Sequence, residues 1–194
     1  MKIVKSFVMV MLATAVFAAP KPVSLKVNAA ESKVEWFASK VTGKHNGTVG
    51  VKSGILDFDG DKLKAAKIEI DMTTLAVSDL QGEWGGKLLG HLKSDDFFSV
   101  EKFNTSTLTV KKADQIAPGR YKIVADLNIK GIVKEVSFDA DINQAAGTAA
   151  ADIKLNRTDF DIKYGSTRFF PNIGDKAIHD EFTLKVALVF GKAM

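Results

Sequence analysis

Four stretches of this chain alternate apolar and polar residues with a period of two, and that pattern commits most of it to β-strands. Ile68, Ile70 and Met72 alternate with Glu69 and Asp71. Tyr121, Ile123, Ala125, Leu127 and Ile129 form a second run, and Val136, Phe138, Ala140 and Ile142 a third. Near the end, Phe182, Leu184, Val186, Leu188 and Phe190 share one parity. Successive strand side chains point to opposite faces, so each run has one apolar and one wet face. Turn signals stand between runs at Asn46-Gly47, Asp59-Gly60, Pro118-Gly119, Lys130-Gly131 and Ala146-Gly147. Many strands, short turns and little helix predict an antiparallel sandwich or barrel. Roughly eight strands are expected, the number at which a closed barrel just holds one small ligand.

One segment departs from this period. Between Ser78 and Phe98, the residues Leu80, Trp84, Leu88 and Leu92 recur every fourth position. That spacing predicts a short amphipathic helix, weakened by Gly82, Gly85, Gly86 and Gly90, covering one end of the β-structure.

The first eighteen residues obey neither pattern. Lys2 and Lys5 precede an apolar stretch from Phe7 to Phe17, and Val16-Phe17-Ala18 forms a small-residue cleavage site. This predicts a secretory signal peptide over residues 1–18, too short to span a membrane. Cleavage removes two of 27 basic residues and none of 23 acidic ones, lowering the formal charge from +4 to +2. With no Lys/Arg run, nucleic acid is not an expected partner. No later stretch reaches eighteen apolar residues, so the processed chain is not expected to span a membrane through a helix. The absence of cysteine excludes disulfides, thiol catalysis and iron–sulfur clusters.

Motifs for catalysis, metals and cofactors all fail. His45, His91 and His179 are widely spaced and lack an HExxH arrangement. Asp57-Phe58-Asp59-Gly60-Asp61 begins like a calcium loop, but Lys62 stands where glycine is needed and Ile68 where glutamate belongs. Gly86-Lys87 lacks the first glycine and the hydroxyl residue of a phosphate loop. Asp139/Asp141 and Asp159/Asp161 have the parity of wet outer faces. No cofactor and no catalytic residue are predicted. Arg157 differs, because it shares parity with Ala149, Ala151, Ile153 and Leu155 and therefore points inward. An inward arginine needs compensation, either from Asp159 or Asp180 or from the headgroup of a ligand.

Several segments together resemble the YceI-like family. They are His45-Asn46-Gly47-Thr48-Val49, Leu89 through Phe98 (LGHLKSDDFF), Leu127 through Ile132 followed by Lys134, Asn156 through Phe160 (NRTDF), and Asp180-Glu181-Phe182. They run in the family's order from about Val23 to Phe190, nearly all of the chain beyond the leader. The resemblance implies one domain over residues 19–194, an all-β, antiparallel, eight-stranded lipocalin-like barrel in the periplasm. It also implies a non-enzymatic carrier whose interior holds a long-chain isoprenoid, isoprenoid-quinone or fatty-acyl lipid. Where many family members carry a proline after the double phenylalanine, Phe103 is followed here by Asn104.

On that reading the inward faces line a tunnel. The lining residues are expected to be Ile68, Ile70, Leu108, Val110, Ile123, Leu127, Val136, Phe138, Ile153, Leu155, Leu184, Val186 and Leu188, with Trp84, Leu88 and Leu92 covering one end. The competing expectation is a filled core, in which the same faces pack on one another and the protein works through its surface loops.

Overall fold

Alternation becomes a closed wall. The computed structural model describes residues 22–191, so the expected leader over residues 1–18 lies outside the described residues. The strands are β1 (Pro22–Lys26), β2 (Lys33–Lys40), β3 (Gly43–Asp59), β4 (Lys62–Val77), β5 (Thr105–Ala117), β6 (Arg120–Ile129), β7 (Ile132–Asn143), β8 (Thr148–Asn156) and β9 (Ile178–Val189). They form one antiparallel sheet in the order β1-β3-β2-β9-β8-β7-β6-β5-β4, and pairing of β3 with β4 closes it.

Nine segments make an eight-stranded barrel because β1 and β2 occupy a single position. β1 pairs with Ile55–Asp59 of β3, and β2 pairs with Gly43–Val49 of the same strand. Both run antiparallel to β3, so they lie end to end. Residues 28–32 interrupt them and are stapled to β9: the Ser32 hydroxyl accepts from the Val189 amide at 3.0 Å and donates to the Asn28 carbonyl at 2.7 Å.

The seams differ in length. β6 and β7 pair along ten register positions, from Arg120↔Asp141 to Ile129↔Ile132. β7 and β8 pair only through Ala140–Asn143 and Thr148–Ala151. Beyond that short ladder, Ile132–Asp139 of β7 has no β8 partner.

The turns form at Gly60, Gly119, Gly131 and Gly147, each with positive φ, a conformation glycine adopts without steric cost. The expected turn at Asn46-Gly47 does not form. Both residues lie inside β3, and the β2–β3 reversal falls at Val41-Thr42. Gly47 serves a close approach instead, for a Cβ there would stand 1.9 Å from the Ala76 carbonyl oxygen and 2.6 Å from the Trp36 ring. The Trp36 indole crosses this gap to donate to that carbonyl at 3.0 Å. Gly47→Ala is therefore expected to lower stability by about 1–3 kcal/mol through overpacking. The measurement is the urea midpoint, and an unchanged midpoint would show that the indole yields freely.

The helix α1 (Gly82–Lys93) is shorter than the periodic stretch that predicted it, and lies between β4 and β5 at one end of the barrel. Gly82 at φ 60° begins it, and at its other end the Ser94 hydroxyl donates to the His91 carbonyl at 2.8 Å. The opposite end is filled by side chains of the strands themselves. Phe58 and Phe190 pack with ring centroids 5.9 Å apart. Beside them Tyr121 is buried, with its hydroxyl donating to the Asp61 carbonyl at 3.0 Å.

Candidate functional site

Inside the barrel, the inward residues leave two adjoining chambers of about 120 Å³ each. Val34, Ile70, Leu127 and Leu184 border both and form a waist between them. The inner chamber, away from α1, is walled by Ile68, Leu108, Val110, Ile123, Phe138, Ile153, Val186 and Leu188, all expected there from parity. Ala140, Ala149 and Ala151 add small side chains that leave space where larger ones would fill it. The outer chamber lies under α1, with Leu92, Phe97, Phe98 and Ile162 among its walls. These come from α1 and the loops, so that end is closed by loop elements and not by strand side chains.

Four expected lining residues do not border the cavity. Leu155 is buried and Val136 half-buried, both packed in the wall outside either chamber. Leu88 packs on the core without reaching the space. Trp84 is 71% exposed and stands outside altogether. Four helical residues span about 400°, so each step along Trp84, Leu88 and Leu92 drifts by about 40°. Trp84 thus lies about 80° around the helix from buried Leu92, which turns its ring outward.

Arg157 does point inward, and its surroundings decide between the two compensations. Asn156 caps a short 3₁₀ turn, Arg157–Phe160, its side chain accepting from the Thr158 amide at 2.9 Å. From there Arg157 Nε donates to the His179 carbonyl at 3.1 Å, and Nη1 donates to the carbonyls of Ile162 at 2.9 Å and Tyr164 at 2.7 Å. Its Nη2 donates to the Ile178 carbonyl at 3.0 Å and faces Asp180 Oδ1 at 3.1 Å. Burial pushes the guanidinium pKa down, and the Asp180 charge pulls it up. Asp180 Oδ2 in turn accepts from the fully buried Ser166 hydroxyl at 3.0 Å. A guanidinium has five N–H donors. Four bond to carbonyls, and Nη2 stands 3.1 Å from Asp180 Oδ1 as an ion pair without hydrogen-bond geometry, so the guanidinium is held by the protein's own groups. Arg157 ties the β8–β9 loop to the barrel, and its partner is Asp180, not Asp159.

The remaining chemical candidates also have ordinary partners. His45 pairs with Asp79 at 2.8 Å. Burial works to raise the Asp79 pKa, yet the Asn46 amide and His45 together hold it below the usual carboxylate value. His91 packs edge-on against Tyr164 and Phe97, with centroids 4.4 and 4.9 Å away. His179 Nδ1 lies 3.2 Å from the Ser39 hydroxyl. Asp139 and Asp141 are exposed and share Arg120, at 3.3 and 3.5 Å. Among the described residues, no three His, Asp or Glu side chains gather where a metal ion could be held.

This barrel recurs in other proteins. Residues 25–190 match the YceI-like domain. The chain belongs to that family. Its sequence relatives include a UPF0312 protein of Vibrio vulnificus (strain YJ016), 27% identical over 89 residues, or 46% of this chain and 45% of the relative. A UPF0312 protein of Staphylococcus aureus (strain bovine RF122 / ET3-1) is 34% identical over 106 residues, 54% of each chain. The aligned stretches thus span about half the length of these relatives. Among solved structures, BcnA of Burkholderia cenocepacia superposes with a TM-score of 0.67 at 19% identity, covering 84% of this chain and 98% of that one. A polyisoprenoid binding domain from Saccharophagus degradans, implicated in plant cell wall breakdown, gives 0.61 at 13% identity over 87% and 98%. At these identities the likeness establishes the fold of YceI-like chains and no more.

Reading by parity missed part of the site. Val34 and Trp36 alternate on β2 and were legible in principle, but that run is only a few residues long. Phe97, Phe98 and Ile162 come from turns, where no period exists to mark them.

Proposed function

We propose that this protein is a periplasmic carrier that seats the apolar chain of a lipid in its barrel and catalyses no reaction. The observation that carries the reading is an apolar lumen in which the one buried charge is already spent. Among the described residues, Thr107, Ser106, His179, Trp36 and Arg157 are the wall residues with polar side-chain atoms, and the Trp36 indole N–H is already bonded to the Ala76 carbonyl. Such a space favours hydrocarbon, at about 0.8 kcal/mol for each buried methylene, and offers a polar headgroup nothing. The headgroup therefore stays outside, and the chain enters end first.

The ligand class is a polyisoprenoid, an isoprenoid quinone or a fatty-acyl chain. The polyisoprenoid-binding relative of the same fold supports the first of these. Volume bears on length as well. Each chamber is slightly smaller than a ~150 Å³ apolar cavity that takes one benzene, so the two seat on the order of a dozen carbons. A longer chain continues out past α1, since the far end is blocked by Phe58, Phe190 and Tyr121. Periplasmic placement rests on the leader over residues 1–18.

The test is mass spectrometry of an organic extract of protein purified without detergent from its native host. One equivalent of a long-chain lipid is expected. An extract free of lipid, even after incubation with host membranes, would transfer the function to the surface loops.

A further inference from the structure

The helix end of the barrel carries an asymmetry that the cavity alone does not require. Four large aromatic side chains are exposed among the described residues, namely Trp84, Tyr164, Phe169 and Phe170, and all four lie at this end. Trp84 stands on α1, and the others stand on the loop between β8 and β9. Packing holds these two elements on one platform: His91 of α1 meets the Tyr164 ring at 4.4 Å, and both pack on Phe97. Cations lie over the exposed rings. Lys87 Nζ is 4.9 Å from the Trp84 ring, and Lys163 and Arg168 are 5.3 and 5.6 Å from Phe169. Over the whole β8–β9 loop, residues 157–177, four basic residues stand against Asp159, Asp161 and Asp175, and Lys163 is paired with Asp161, so the cations left to face outward are Arg168 and Lys176.

We propose that this end docks on a phospholipid bilayer bearing anionic headgroups. Trp84, Phe169 and Phe170 would sit at headgroup depth, and Arg168 and Lys176 would meet phosphate. The chemistry favours a bilayer over a protein partner. Apolar rings and cations are interleaved on this face, with Lys87 over Trp84 and with Lys163 and Arg168 over Phe169. Rings that are apolar on their faces, mixed with cations, match the polarity gradient of a membrane interface. The face also adjoins the outer chamber through Phe97, so docking places the chamber where a lipid chain leaves its membrane. This inference rests on the proposed lipid cargo, but the two are tested by separate measurements.

The full processed chain is mixed with vesicles of phosphatidylcholine, with or without phosphatidylglycerol, and sedimented. Binding to the anionic vesicles is expected and should weaken as salt rises. Emission from Trp84 should shift to the blue and be quenched by brominated lipid, while Trp36, buried in the barrel, stays unchanged. The paired substitution Phe169→Ser with Phe170→Ser should lower partitioning by about tenfold or more and leave cargo retention, measured on vesicle-free protein, as in the parent. Failure to sediment with anionic vesicles at low salt would overturn the proposal, as would a paired variant that sediments like the parent. Self-association through these rings without vesicle binding, read by sedimentation velocity, would overturn it in favour of a second copy. Loss of cargo in the extract, with vesicle binding intact, would refute the carrier reading and leave the docking face standing.

Discussion

Arg157→Met is expected to destabilise the protein by about 3–5 kcal/mol, the cost of breaking a buried ion pair from one side. Methionine fills similar space and donates nothing. The carbonyls of Ile162, Tyr164, Ile178 and His179 then lose their donor, and the Asp180 carboxylate faces an apolar neighbour. These groups belong to the β8–β9 loop and the start of β9, so the loss falls on the outer chamber's cover. Arg157→Lys should recover only part of the stability, because an ammonium has three donors and no planar fork. Urea unfolding of both variants gives the test. A methionine variant within about 1 kcal/mol of the parent would mean that water satisfies the carbonyls and that the arginine is dispensable.

The second large effect is on cargo. Leu184→Glu places a carboxylate at the waist, where it borders both chambers. Phe138→Asp does the same in the inner chamber alone. Desolvating a carboxylate against hydrocarbon costs several kcal/mol, and 1.4 kcal/mol is tenfold in affinity, so retention should fall by about a hundredfold or more. Lys185→Glu, on the exposed face of the same strand, should retain cargo like the parent. The comparison counts only where circular dichroism matches the parent. Unchanged retention in a folded Leu184→Glu variant would remove the waist from the binding path.

How legible the sequence was depends on whether a strand keeps its parity. On β6, the apolar residues from Tyr121 to Ile129 are buried at every second position, as alternation predicts. On β3, irregularities in the pairing with β4 fall between Thr48 and Gly50, between Val51 and Ser53, and at Asp57/Phe58. Buried positions therefore pass from Val49 and Val51 to Leu56 and Phe58, an odd step that period-two reading cannot follow. Arg157 was readable as inward because β8 keeps its parity to the end. Its carbonyl partners were not readable, since Ile162 and Tyr164 belong to irregular backbone. Gly47 shows a different limit. Asn-Gly usually marks a hairpin turn, and nothing local reveals that this glycine instead makes room for Trp36 and the Ala76 carbonyl.

The short β7–β8 ladder bears on how the barrel can breathe. Most of the circumference is held by longer ladders, but from Ile132 to Asp139 one edge of β7 faces no strand partner. About half of its backbone groups therefore point along the wall with no ladder partner. Opening this joint breaks no ladder bonds there, whereas widening the wall at β6–β7 means unzipping a full strand. Girth is thus adjustable at one joint and fixed at its neighbour. The free stretch carries Lys134 and Glu135, charges that discourage a foreign strand from completing it. The wall is thus least tied where β7 runs on past the end of its β8 ladder.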